Sequence, residues 1–148
     1  MLRIAVLGAG WAGTRHVQAI RELGREDIRV ACLVDNDKAF LVQKADELQV
    51  GTTYTDYRDA LTDPDVDAVS ICLPHRLHCP VAVEAAAAGK QILCEKPIAM
   101  SVAEATHMIA EAEAHGVRLF VAENVAYGAP AKMLREIVQS GRYIGELT

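Results

Sequence analysis

A short apolar run, Arg3-Ile4-Ala5-Val6-Leu7, leads directly into Gly8-Ala9-Gly10-Trp11-Ala12-Gly13 and then into Thr14 to Ile20, a stretch of helical character. Few features restrict a fold as strongly as this one. A strand buried on both faces, a glycine turn and a helix in immediate succession are the setting in which G-x-G-x-x-G acquires meaning. Gly8 permits a tight turn, Gly10 lets a pyrophosphate approach the backbone, and Gly13 lets the helix lie close on the strand. Trp11 and Ala12 lie inside the same turn and count among the residues expected to face a dinucleotide. Trp11 either covers the phosphates or packs against the last helix, and the sequence leaves both open. The helix N-terminus offers unpaired N–H groups and a partial positive charge to an anion.

The next segment strengthens this reading. Ile28-Arg29-Val30-Ala31-Cys32-Leu33-Val34 is a second apolar run, and it stops at Asp35, 22 residues after Gly13. The acid that binds the adenosine ribose is expected roughly 20 residues beyond the glycines. A carboxylate there accepts bonds from the ribose hydroxyls and repels a 2′-phosphate, which favours NAD over NADP. The competing reading makes Asp35 a simple turn or cap residue.

Strand and helix patterns alternate along the rest of the chain. Asp37 is expected to cap a helix over Lys38 to Leu48 ended by Gly51, Thr52 to Tyr54 to form a short strand, and Asp56 to cap a brief helix over Tyr57 to Leu61. Ala68 to Leu73 reads as a buried strand, broken at Pro74, with His75 to His78 as a loop. An alanine-rich helix follows from Pro80 to Ala88, closed by Gly89. Ala82, Ala85 and Ala86 share one face there, which suits a close helix–sheet contact. Gln91 to Cys94 is the next strand. Ser101 and Glu104 have capping-box spacing and open a helix to about His115. Val117 to Ala122 is a sixth strand, and a last helix is expected from Pro130 to Gln139, stopped by Gly141. The pattern is that of an α/β doubly wound parallel sheet with helices on both faces. Such sheets bind ligands at the carboxyl ends of their strands.

Composition narrows the function classes. The chain has 148 residues, enough for one domain, with 51% hydrophobic and 24% charged residues and a net charge of −5. No basic block suggests a nucleic-acid partner. No apolar run approaches the 18 or so residues of a membrane span, and no secretory leader is expected, since Arg3 and Gly8 interrupt the apolar start. The four cysteines, Cys32, Cys72, Cys79 and Cys94, lack C-x-x-C spacing and read as reduced thiols of a cytoplasmic protein. No metal site is expected: His107 and Glu111 are four apart, but no second ligand pair accompanies them. His16, His107 and His115 read as surface or helix-end residues.

Several segments together resemble the N-terminal domain of the Gfo/Idh/MocA oxidoreductases, the family of glucose–fructose oxidoreductase and inositol dehydrogenase. Besides the glycine turn and Asp35, Pro74-His75-Arg76-Leu77-His78 is similar to the family's P-N-x-x-H segment, with His75 in place of the usual Asn. Glu95-Lys96-Pro97 is similar to its E-K-P motif, the most specific of these features. Glu123-Asn124 follows the sixth strand, and residues 140–147 resemble the family's passage into a second domain. The resemblance implies that Gly8, Gly10, Gly13 and Asp35 hold the dinucleotide, that Pro74 and His78 lie beside it, and that Glu95 and Asn124 sit at its nicotinamide end. It implies that Lys96 is the catalytic residue, bonded to the reacting oxygen of a polyol or sugar-like substrate. It further implies a homo-oligomer at full length, with substrate pocket and remaining catalytic groups on a second domain absent from this chain. On this reading the chain alone binds NAD but turns over little. The alternative is a non-catalytic dinucleotide-binding or sensor module.

The chemistry of Lys96 can be stated from its position. At a strand end in a cleft the ammonium is expected to be partly desolvated, which eases proton sharing with a carbinol oxygen. The plain alternative is a surface lysine paired with Glu95.

Overall fold

A computed structural model of the protein describes residues 1–125 and 128–140. The elements run β1 (Leu2–Leu7), α1 (Trp11–Glu22), β2 (Ile28–Val34), α2 (Lys38–Glu47), β3 (Thr53–Tyr54), α3 (Tyr57–Thr62), β4 (Ala68–Ile71), α4 (His78–Ala87), β5 (Gln91–Cys94), α5 (Val102–Ala114), β6 (Leu119–Val121) and α6 (Ala129–Ser140). The six strands form one parallel sheet in the order β3-β2-β1-β4-β5-β6. The chain therefore starts in the middle, winds outward to one edge, returns, and winds to the other. The switch point lies between β1 and β4.

Alternation along the strands divides the core between the two faces. Ala5 and Leu7 of β1 pack with Val69, Ile71, Ile92 and Cys94 beneath α4 and α5, whereas Val6 and Leu33 pack with Val17 of α1 and Leu41 of α2. Ala82, Ala85 and Ala86 are fully buried against the first cluster, the close contact expected of a small-residue face.

The caps fall where the sequence places them. Asp37, Asp56 and Ser101 each accept a bond from a first-turn N–H of α2, α3 and α5. Three local expectations need correction. Gly51 does not end α2; Gln49 does, in the left-handed region at φ 49°. β4 stops at Ile71, two residues earlier than its apolar run suggests, because Cys72 and Leu73 already turn toward Pro74. His75 to His78 is not an open loop: His75–Leu77 forms one 3₁₀ turn and His78 begins α4. The proposed stop at Gly141 and the passage over residues 141–147 lie outside the described residues.

No helix among the described residues is long and apolar enough to cross a membrane.

Candidate functional site

The register of the sheet brings the strand ends level. Leu7 pairs with both Val34 and Ile71, Ile71 with Cys94, and Cys94 with Val121. Val34 also pairs with Tyr54, so the next residue of each strand falls on one edge: Gly8, Asp35, Thr55, Cys72, Glu95 and Ala122.

The glycines divide the work as their positions require. Gly8 has φ +100°, and a Cβ there would lie 2.5 Å from the Cys72 carbonyl oxygen. A Cβ on Gly13 would lie 1.8 Å from the Gly8 carbonyl oxygen, so only glycine lets α1 approach the turn. Gly10 differs: a Cβ there would meet no protein atom within 4 Å. Its lack of a side chain serves open space, which suits a ligand that touches backbone. Gly10 is also the N-cap of α1, with no side-chain cap and no acidic residue in the first turn. Three other helices carry Asp or Ser caps, so the first N–H groups of α1 are left for an anion from outside.

Asp35 stands beside this turn. One of its carboxylate oxygens accepts from Ala9 N–H at 2.9 Å and the other from Asp37 N–H at 3.1 Å. It thus shapes the glycine turn and borders a cleft of about 570 Å³ with Asn36, Thr55, Pro74, Arg76 and Leu77. A second cleft, of about 390 Å³, is bordered by Trp11, Ala12, His75, Glu95, Lys96 and Asn124. Leu73 borders both, so the two clefts flank one ridge. Residues distant in sequence meet here, with Pro74 on the Asp35 side and Glu95, Lys96 and Asn124 on the other. Trp11 is 82% exposed at the second cleft and is not buried against α6.

Three expectations change. His78 lies beneath the site: it is fully buried, with ring nitrogens 2.9 Å from the carbonyl oxygens of Leu73 and Pro97. It contributes by tying those two segments together, not by offering its ring to a ligand. Lys96 is exposed, so the desolvation expected of a strand-end cleft is not supplied by the described residues. Nor is its ammonium paired with Glu95, whose oxygens are taken by His16 Nε2–H at 3.0 Å and by Lys96 backbone N–H at 3.0 Å.

His16 itself is no surface residue. It bridges Ser70 and Glu95, and sequence reasoning missed both it and Ser70. Two signals were present: His16 follows Gly13 by three residues, on the same helix face, and Ser70 is the one hydroxyl in the apolar run of β4. Cys72 borders the Lys96 cleft, but burial pushes its thiol up to about 12, which leaves it a poor nucleophile. All four cysteines are free. Among the described residues no group of three His, Cys, Asp or Glu is placed to hold a metal.

Comparison with known proteins agrees with this geometry. A family model described as oxidoreductase family, NAD-binding Rossmann fold, matches residues 2–123. An uncharacterized oxidoreductase, YrbE of Bacillus subtilis, is 36% identical over 92% of this chain and 39% of its own length. A myo-inositol 2-dehydrogenase of Thermotoga maritima is 31% identical over 95% of this chain and 41% of its own. The crystal structure of an oxidoreductase from Agrobacterium radiobacter in complex with NAD+, L-tartaric acid and magnesium superimposes with a TM-score of 0.89 at 26% identity, over 98% of this chain and 42% of that one. The chain thus spans about two fifths of the length of these relatives. Its glycine turn, its strand order and the match over most of its length agree, and the chain belongs to the Gfo/Idh/MocA oxidoreductase family, with an NAD-binding Rossmann fold.

Proposed function

We propose that this chain is the cofactor-binding domain of an NAD-dependent oxidoreductase that acts on a carbinol or carbonyl carbon of a sugar, cyclitol or related small molecule. The observation that carries this reading is the uncapped N-terminus of α1, with Gly10 facing open space and Asp35 bonded to the same turn. The residues fit the dinucleotide. First-turn N–H groups of α1 meet the pyrophosphate, and Gly10 leaves room for it. Asp35 receives the adenosine ribose and disfavours a 2′-phosphate, and the cleft with Trp11, Lys96 and Asn124 takes the nicotinamide end. When bound, NAD supplies the redox centre that exchanges hydride with the substrate carbon.

The chain's own residues do the rest. Lys96 donates to the substrate oxygen, and holds or returns its proton as the C–O bond changes order. Glu95 keeps the Lys96 backbone N–H in place, and His78 holds the Leu73 and Pro97 segments that frame the cleft. The exposure of Lys96 fits a site completed by a further domain, which would supply the remaining substrate contacts and a homo-oligomer interface. The reduced thiols suit a cytoplasmic protein.

A second reading, a dinucleotide-binding module without chemistry, draws on that same exposure of Lys96. One experiment tests the cofactor site that both readings share, and a second separates them. A thermal-shift titration with NAD, and separately NADP, is expected to show a larger stabilisation by NAD. A ligand that binds only the folded state adds about 2.7 kcal/mol at a hundred times its Kd. No shift with either overturns the cofactor assignment. In the whole oxidoreductase, Lys96→Ala is expected to lower kcat about 100-fold or more, and unchanged turnover overturns the catalytic role.

A further inference from the structure

His16 stands in the second turn of α1, on the face that packs on the sheet. Its Nδ1 is 2.7 Å from Ser70 Oγ and its Nε2 is 3.0 Å from Glu95 Oε1. A carboxylate only accepts, so Nε2 carries a proton and donates to Glu95, and Nδ1 shares a hydrogen bond with the Ser70 hydroxyl. Ser70 is fully buried, and the side chains of His16 and Glu95 are only 16% and 19% exposed. The order serine, histidine, carboxylate is that of a nucleophilic relay, but Ser70 has no exposed surface within β4. The network therefore runs the other way: the serine anchors the ring, and the ring holds the carboxylate.

What the ring withholds is the point. Glu95 and Lys96 are adjacent and of opposite charge, yet Glu95 Oε1 is bound by His16 and Oε2 by the Lys96 backbone N–H. Lys96 Nζ makes no ion pair or hydrogen bond among the described residues. We propose that His16 is a positioning residue for Lys96: it engages the Glu95 carboxylate and so leaves the ammonium free in the cleft to meet the substrate oxygen. Without the ring, Glu95 turns to the ammonium and occupies the donors the substrate needs. This rests on the reading of Lys96 as the residue that meets substrate.

The test need not depend on turnover. Acetylation of lysines by an N-hydroxysuccinimide ester, followed by peptide mass spectrometry, reports how free each amine is, with exposed Lys38 as internal reference. His16→Ala is expected to slow acetylation of Lys96 at least threefold relative to Lys38. Adding Glu95→Gln to that variant is expected to restore the rate, because an amide cannot form the ion pair. An unchanged rate in His16→Ala, or no recovery in the double variant, overturns the proposal. Should His16→Ala not fold, His16→Phe fills the same space without a donor; if neither folds, His16 is a packing residue and the proposal fails. In the whole enzyme kcat is expected to follow the same order, down about tenfold in His16→Ala, with KM for NAD unchanged in that single variant, and partly recovered in the double variant. If acetylation follows this order but Lys96→Ala turns over normally, the positioning stands and the catalytic reading of Lys96 is what fails.

Discussion

The Asp35 carboxylate accepts a hydrogen bond from the backbone N–H of Ala9 at 2.9 Å, so the end of β2 holds the glycine turn that follows β1. One side chain thus serves both the shape of the turn and the ribose side of the cleft. Asp35→Ala is expected to lower stability by about 1.5–3 kcal/mol, the usual range for hydrogen bonds to a charged group. It is also expected to weaken NAD binding at least tenfold and to narrow the gap between NAD and NADP. Denaturant unfolding and calorimetric titration with both dinucleotides measure the two effects.

Gly10 and Gly13 should separate binding from folding. Gly13→Ala forces a Cβ to 1.8 Å from the Gly8 carbonyl oxygen, and backbone cannot yield as a side chain can. A loss of more than about 3 kcal/mol is expected. Gly10→Ala meets no protein atom within 4 Å, at an ordinary φ of −66°. It is expected to cost less than about 1 kcal/mol in stability yet to reduce NAD affinity at least tenfold. Urea denaturation and NAD titration of both variants check the contrast.

Acid stability should depend on the far end of the sheet. Asp67 accepts from Arg3 Nε at 2.9 Å, from Arg3 Nη2 at 2.8 Å and from the Arg3 backbone N–H at 2.8 Å. Hydrogen bonding from the Arg3 guanidinium, and then from its backbone N–H, holds the Asp67 carboxyl well below the usual carboxylate range. A depressed folded value means that this stabilisation is complete above the unfolded pKa of about 3.9 and is lost as pH falls toward the folded value. Asp67→Asn is expected to be less stable at neutral pH and to show a shallower loss below about pH 4. Thermal unfolding of the two proteins across that range tests this.

The thiols should be silent in the folded protein. Burial pushes Cys32, Cys72 and Cys94 each up to about 12. A disulfide-exchange reagent at pH 8 is expected to count all four thiols in denaturant and to react slowly without it, since the thiolate is the reacting form. Rapid native reaction at Cys72 would contradict the burial assigned to it.

Much of this was legible in the chain. The glycine spacing, the acid at the end of β2, the caps Asp37, Asp56 and Ser101, and the alternation of strand and helix all depend on neighbours within a few residues. Period-2 and period-3.6 patterns and cap geometry are local, so a linear string carries them. The parallel sheet followed, because alternating strands and helices leave few other ways to bury both faces of each strand.

The contacts across the sheet were not legible. His16 reads as an exposed helical residue until the fold sets α1 over the ends of β4 and β5, where Ser70 and Glu95 await it. His78 reads as a loop residue beside the cofactor until the turn after β4 puts it beneath Leu73 and Pro97. A Lys96–Glu95 pair stands as the plain alternative in the sequence until a third residue, 79 positions upstream of Glu95, takes the carboxylate. Each is a choice among hydrogen-bond partners, and the partner that wins is the one brought within 3 Å or so by packing, not the one nearest along the chain. Local order belonged to the amino-acid string; which polar groups meet was decided only when the sheet brought six strand ends to a common edge.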